Sequence, residues 1–287
     1  MKNLALLCVL IGALSAGNAP EAEISGPVSE AVVETAPAVH RIDDESLLNI
    51  TSDEGLTVVS SGVYLETRED GDALSQCVVY AEIRNDTDHT VYPNGSLHLL
   101  EGESRTTELR DELTRFTPLK IEPGQTAYFN NGWAGTIGYR QVSLRSLSEI
   151  RLSFTDGPVN EQEVSWWGEP VRVIYQDDSV TIEPTAPPDW ATGPDALRVT
   201  FINRTGGLLP NPAAAVAAYD AEGRLLYVAG SSVVAGNTDH VCYVPDGSPC
   251  AIVLCINEAV SQYMAENAVK VSEYRTVIYG GDMGGAL

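Results

Sequence analysis

The sequence predicts an all-β protein: two tandem antiparallel β-sandwiches, the second carrying a short inserted helix. Three observations lead there. Short stretches alternate apolar and polar residues with period two, and turn residues separate them. Strands do not alternate with helical segments as a parallel sheet would require. A set of landmarks recurs in the same order in both halves of the chain. The 287 residues suffice for one large or two ordinary domains. A 44% hydrophobic content excludes wholesale disorder. Seventeen Lys and Arg against 40 Asp and Glu give a net charge of −23. Such a chain lacks the electrostatic footprint for nucleic acid or an anionic bilayer.

From the N-terminus, Met1-Lys2-Asn3 precedes an apolar run from Leu4 to Leu14 and the small residues Ser15-Ala16-Gly17. This is the pattern of a secretory signal peptide over residues 1–17, too short for a spanning helix. Gly17 stands where a lipid-modified cysteine would follow Leu14-Ser15-Ala16, and no later apolar span appears, so a secreted chain without a membrane anchor is expected. Residues 18–55 hold nine acids against one base, Arg41, and read as an acidic disordered tail. The first sandwich is expected over 56–165 and the second over 166–287.

In the first, Cys77, Val79, Ala81 and Ile83 alternate with Val78, Tyr80, Glu82 and Arg84, a half-buried strand. Strands over Ser96–Leu100 and Ala127–Phe129 follow, with a short helix expected at Thr106–Arg115. In the second, Leu197, Val199 and Phe201 share one face of a strand. Asp220-Ala221-Glu222-Gly223 turns the chain between Ala215–Tyr219 and Leu225–Val228. A strand over His240–Tyr243 leads to the turn Pro245-Asp246-Gly247. The helix begins at Asn257, a good N-cap, followed by Glu258 in the first turn. Val260, Tyr263, Met264 and Ala268 fall on its one face.

The landmarks of the repeat are Asn85-Asp86-Thr87 and Asn203-Arg204-Thr205 at strand ends, each with Pro-Asn downstream (Pro93-Asn94, Pro210-Asn211). Gly124-Gln125-Thr126 is matched to Gly236-Asn237-Thr238, and Ser148-Glu149-Ile150-Arg151 to Ser272-Glu273-Tyr274-Arg275. The strand ending at Asn203, the run Ala218-Tyr219-Asp220-Ala221-Glu222-Gly223, and Pro123-Gly124-Gln125-Thr126 in the first half together resemble the FxLYD-type immunoglobulin-like domains of bacterial secreted proteins. The first half has Leu100-Glu101-Gly102 in place of Tyr-Asp, and the second has Ala235-Gly236 in place of Pro-Gly. The resemblance covers some 200 residues. It implies extracellular, non-enzymatic, immunoglobulin-like sandwiches and supplies no site residues.

Chemistry-bearing residues are sparse. After export four cysteines remain: Cys77, Cys242, Cys250 and Cys255. Cys242 and Cys250 flank a turn-rich segment and are the expected disulfide, with Cys242–Cys255 the alternative. Cys77 sits on an inward face, as a small buried apolar residue. His40, His89, His98 and His240 lack metal-ligand spacing, and no hydrolase, nucleotide or dinucleotide motif occurs. The loops holding Asp70 and Asp72, and Asp86 and Asp88, offer oxygen ligands for calcium; their other reading is an ordinary solvated turn. Trp166, Trp167 and Trp190, near the junction of the halves, can stack on a sugar face or pack domain against domain. Asn49, Asn85, Asn94 and Asn203 stand in Asn-x-Ser/Thr sequons. The expectation is a secreted, non-enzymatic binding or scaffold protein with a glycan or protein ligand. An exported hydrolase or inhibitor is the alternative.

Overall fold

The computed structural model describes residues 37–43, 46–68, 72–102, 105–109, 115–117, 120–131, 142–157, 172–175, 180–189, 193–210, 212–231 and 243–280. Its elements in the first half are β1 (Val39–Arg41), β2 (Leu48–Ser52), β3 (Leu56–Thr67), β4 (Leu74–Asn85), β5 (Pro93–Glu101), β6 (Arg105–Leu109), β7 (Arg115–Thr117), β8 (Thr126–Asn130) and β9 (Leu147–Asp156). The second half holds β10 (Arg172–Tyr175), β11 (Thr181–Thr185), β12 (Ala196–Ile202), β13 (Leu209–Pro210), β14 (Ala213–Tyr219), β15 (Leu225–Ser231), β16 (Tyr243–Val244), β17 (Pro249–Cys255), α1 (Glu258–Glu266) and β18 (Glu273–Gly280).

The protein is an all-β sandwich fold. In the first half, sheet I has the order β1-β3-β4-β8-β7 and sheet II the order β2-β9-β5-β6. In the second, sheet III runs β10-β18-β14-β15 and sheet IV runs β11-β12-β17, with β13 and β16 forming a small ribbon. The chain crosses between sheets from β4 to β5 and back again before β8, as Greek-key sandwiches do. The second half repeats this path with β12, β14 and β17. One pair departs from the antiparallel expectation: β2 runs parallel to β9 over Leu48–Ser52, whereas β10 is antiparallel to β18.

Both sandwiches are pinned by the same device. Asn85, fully buried, donates its amide to His89 O and Ile121 O while its oxygen accepts from Thr87 N–H and Oγ1. Asn203, also fully buried, donates to Gly207 O and Val244 O and accepts from Thr205 N–H and Oγ1. Backbone bonds continue the match: Gly124 N–H donates to Asn85 O, and Gly247 N–H to Asn203 O. Gly124 and Gly247 have φ of +74° and +73°, the left-handed region glycine tolerates. The counterpart of Gly124 is therefore Gly247 in Pro245-Asp246-Gly247, and not Gly236, which lies outside the described residues along with 240–242 of the strand expected there.

Three other expectations change. Strands β1 and β2 lie inside the stretch read as a disordered tail, because Leu48 and Ile50 at period two pack against the first core and outweigh the local charge. Arg105–Leu109 and Arg115–Thr117 are strands, not a helix; the β-branched pair Thr106-Thr107 suits the ladder that Leu97–Glu101 offers. Helix α1 forms as the pattern indicates, with the Asn257 side chain accepting from Ala259 N–H, but it ends at Glu266. Ala268, assigned to its apolar face, sits past the end at φ +51°.

Two buried clusters organise the interior. Cys77, Val79, Ala81 and Ile83 on β4 pack with Leu97, Leu99, Ile150, Leu152 and Phe154 of sheet II. Val78 and Tyr80, on the other face of β4, join Tyr64 and Tyr128 in the cluster formed by β14, β15, sheet IV and α1. Strand β4 is thus buried on both faces rather than half-buried, and residues 34–287 form a single compact unit.

Candidate functional site

The chemistry of the molecule concentrates where sheet I meets sheet III. Strand β15 is the edge strand of sheet III, so one row of its backbone groups has no ladder partner in that sheet. Side chains of sheet I supply the missing bonds. Tyr64 Oη donates to Leu226 O at 2.8 Å, and Asn130 Nδ2 donates to Val228 O at 2.7 Å. Leu225 N–H donates to Ser60 Oγ at 3.2 Å. The two captured carbonyls are two residues apart, the spacing at which a neighbouring strand would bind them. Gly62 makes the approach feasible: a Cβ there would stand 2.8 Å from Leu225 O.

Beside this edge lies a buried polar cluster. Glu82, 6% exposed on β4, accepts from Tyr219 Oη at 2.5 Å and from the Arg275 guanidinium at 3.4 Å. Arg275 covers the Tyr219 ring, 4.2 Å from its centroid, and pairs with Glu273 at 2.8 Å. Burial, then the bond to Glu82, drives the Tyr219 hydroxyl far above its usual pKa. The Glu273 hydrogen bond, foremost, raises that of Arg275. Tyr128 is buried alongside without a hydrogen bond of ordinary geometry, although it lies in the field of Glu82 and the Tyr219 hydroxyl. A carboxylate whose Oε2 is held by a phenol and a guanidinium ties the two sandwiches together at one atom.

A strap closes the same region. Strand β1 pairs with β3, and Arg41 donates to Tyr64 Oη at 3.0 Å while stacking 5.6 Å from that ring's centroid. Burial pushes the Tyr64 pKa up to about 12 against the opposing pull of Arg41. From α1, Tyr263 meets Tyr64 edge-on at 5.3 Å, and Gln262 donates to Pro37 O at 3.3 Å.

At the hairpin that starts β15, the Tyr-Asp motif has a physical role. Asp220 accepts from Glu222 N–H and Arg224 N–H and binds Arg224 Nε at 2.7 Å, fixing the turn that aims Tyr219 at Glu82. Burial opposes ionisation of Asp220, and the Arg224 bonds outweigh it, leaving the pKa lowered.

The residues singled out from sequence fall elsewhere. Trp166, Trp167, Trp190, Asp70, Cys242 and His240 lie outside the described residues. Asp72 stands before β4, and Asp86 and Asp88 after it, so twelve strand residues, roughly 36 Å, separate the two acidic loops. They cannot share an ion. Asp72 accepts from Ser143 Oγ, and Asp86 from Arg84 and Thr57, bonds that lower both pKa values. Asp88 faces His89, whose pKa it raises. No group of three His, Cys, Asp or Glu is arranged for a metal among the described residues. Cys250 is buried opposite Phe201 on β17, and Cys255 lies five residues on, on the other face of that strand.

The sequence reading missed Glu82, Tyr219, Arg275, Gly62, Tyr64 and Asn130. A signal was present: Val78 and Tyr80 are apolar on the face of β4 assigned to solvent, and Ala213–Tyr219 is an unbroken apolar run, the mark of a strand buried on both sides.

No family model and no curated protein matches the chain. Among solved structures, it is similar to the C-terminal globular domain of an oligosaccharyltransferase from Pyrococcus abyssi, at 10% identity and a TM-score of 0.17. The match covers 79% of this chain and 47% of that one, so this chain corresponds to about half of that structure's length. At that score it carries no argument about fold or function. No helix among the described residues is long and apolar enough to cross a membrane.

Proposed function

We propose that this is a secreted, non-enzymatic binding or scaffold protein of the bacterial extracellular space, built from a tandem pair of sandwiches that work as one rigid body. The observation that carries this reading is the junction of sheets I and III. Tyr64, Asn130 and Ser60 complete the edge of β15, and Glu82 anchors Tyr219 and Arg275. Groups invested in holding two sandwiches at a fixed relation serve a protein that presents loops and outer sheet faces to an extracellular glycan or protein. The signal-like first 17 residues support export.

The test has two parts. Mass analysis of the product exported by a bacterial host locates the processed N-terminus; retention of the intact N-terminus inside the cell refutes export. The full mature chain is then screened against immobilised glycans, peptidoglycan and matrix proteins, with and without calcium. Saturable binding supports the reading, and its weakening by Trp166→Ala or Trp167→Ala assigns the contact to that tryptophan pair. Absence of binding to every target rejects a recognition role and leaves a spacer.

A further inference from the structure

The Asn85 and Asn203 networks align the two sandwiches residue by residue, and the alignment shows that the junction is not symmetric. Sheet I corresponds to sheet IV, and sheet II to sheet III. The first sandwich therefore contributes one kind of face and the second contributes the other, a head-to-tail contact. A contact of this kind leaves the complementary faces, sheet II and sheet IV, open at the two ends. Unless something stops it, it repeats without limit.

The side chains at the junction positions differ sharply on the open faces. Strand registers place Glu183 of β11 where β3 has Gly62, since Gly62 pairs with Tyr80 and Glu183 with the equivalent Arg198. Thr185 takes the place of Tyr64 by the same pairing. Gly62 is the position where even a Cβ would come within 2.8 Å of a carbonyl of the opposing strand, so a glutamate there blocks the approach. Thr200 replaces the anchor Glu82. On sheet II the equivalents follow from the pairing of β5 with β9 and of β14 with β18. Leu100 replaces Tyr219, His98 replaces Ala217 and Ser96 replaces Ala215. The junction face of sheet III is thus smooth and alanine-lined where sheet II carries polar side chains. The ion pair survives on both, Glu149 with Arg151 at 2.8 Å and Glu273 with Arg275 at 2.8 Å. The substitutions fall on the contact positions and spare the framework.

We propose that the junction is one step of a head-to-tail stack of sandwiches, stopped at two because Glu183 and Arg198 at one end and Ser96 and His98 at the other block further copies of the same contact, while Thr185 and Leu100 lack the tyrosine hydroxyls that make it. This rests on the rigid pairing proposed above, but not on export or on any ligand. It makes the two outer faces self-avoiding, which suits a chain whose −23 charge already resists association.

The experiment compares three full-length proteins by light scattering, small-angle scattering and hydrogen exchange. The native chain remains a single chain as concentration rises; growth in mass overturns the proposal. Gly62→Glu, which installs the residue found at position 183, separates the sandwiches. Amides of β15 lose protection and the scattering radius grows, while the far-ultraviolet β-sheet spectrum is retained. An intact junction with glutamate at 62 overturns the blocking role of Glu183. A variant with both ends opened (Glu183→Gly, Thr185→Tyr and Arg198→Tyr, with Ser96→Ala, His98→Ala and Leu100→Tyr) gains mass with concentration by about twofold or more. If it folds and stays a single chain, the proposal fails; if it does not fold, Gly62→Glu alone decides. Scattering from the native chain reports the rigid pairing and mass reports the block, so the two readings fail separately.

Discussion

The Tyr219 hydroxyl donates to Glu82, a residue 137 positions earlier in the chain and in the other sandwich. Glu82 also takes the Arg275 guanidinium, so one carboxylate gathers β4, β14 and β18. Buried and paired, such a group contributes chiefly by what its loss leaves behind, because an unpartnered buried group keeps its full desolvation cost.

Tyr219→Phe removes the donor and keeps the ring under Arg275. Urea unfolding is expected to show a loss of about 1–3 kcal/mol, and Glu82→Leu, which leaves the buried Tyr219 hydroxyl without its acceptor, at least as much. The pair was misjudged if both variants unfold at the native midpoint.

Five tyrosines, Tyr64, Tyr80, Tyr128, Tyr219 and Tyr227, have pKa values raised chiefly by burial. A tyrosine ionises near 10 when unfolded. Each of these therefore contributes stability that is whole below pH 10 and is lost as pH climbs toward its folded value. The tyrosinate absorbance of these five is expected to rise in one cooperative step coincident with loss of structure, on top of whatever the other tyrosines contribute.

The twin asparagines allow an internal comparison. Asn85→Ala and Asn203→Ala each remove four hydrogen bonds, one of them to a buried carbonyl (Ile121 O, Val244 O), so each is expected to cost about 1–3 kcal/mol. Thermal unfolding measures this. A neutral Asn203→Ala beside a damaging Asn85→Ala would mean that the second network does not carry its strand ends.

Cys77 is fully buried, and burial pushes its thiol up to about 12. At pH 8 it is expected to resist alkylation in the native chain and to react at once in denaturant. Native labelling of Cys77, read by peptide mass, contradicts a closed first core.

Much of this fold was legible in the sequence for a simple reason: local periodicity reports on the nearest buried face. The alternation through Cys77–Ile83, the turn at Asp220–Gly223 and the cap at Asn257 all express local rules, and the structure has them. What local patterning does not encode is the second partner. Val78 and Tyr80 looked like the solvent side of a strand because nothing nearby in the chain covers them; β15 does, from nearly 150 residues away. The strand β2 hid among acids because two apolar residues are a faint signal. Glycine at 236 was matched to 124 by its neighbours, whereas hydrogen bonds to Asn203 select Gly247, a match only geometry can make.

Strand β1 lies on β3 while Val39 is buried with the second sandwich and Pro37 is held by Gln262, 225 residues on. During synthesis β1 is therefore made long before the helix that clasps it. The clasp closes a loop of 225 residues, and the entropy of that closure opposes it. Tyr263 on that helix covers one side of the Tyr64 ring, so a chain that lacks α1 leaves that ring short of one of its partners.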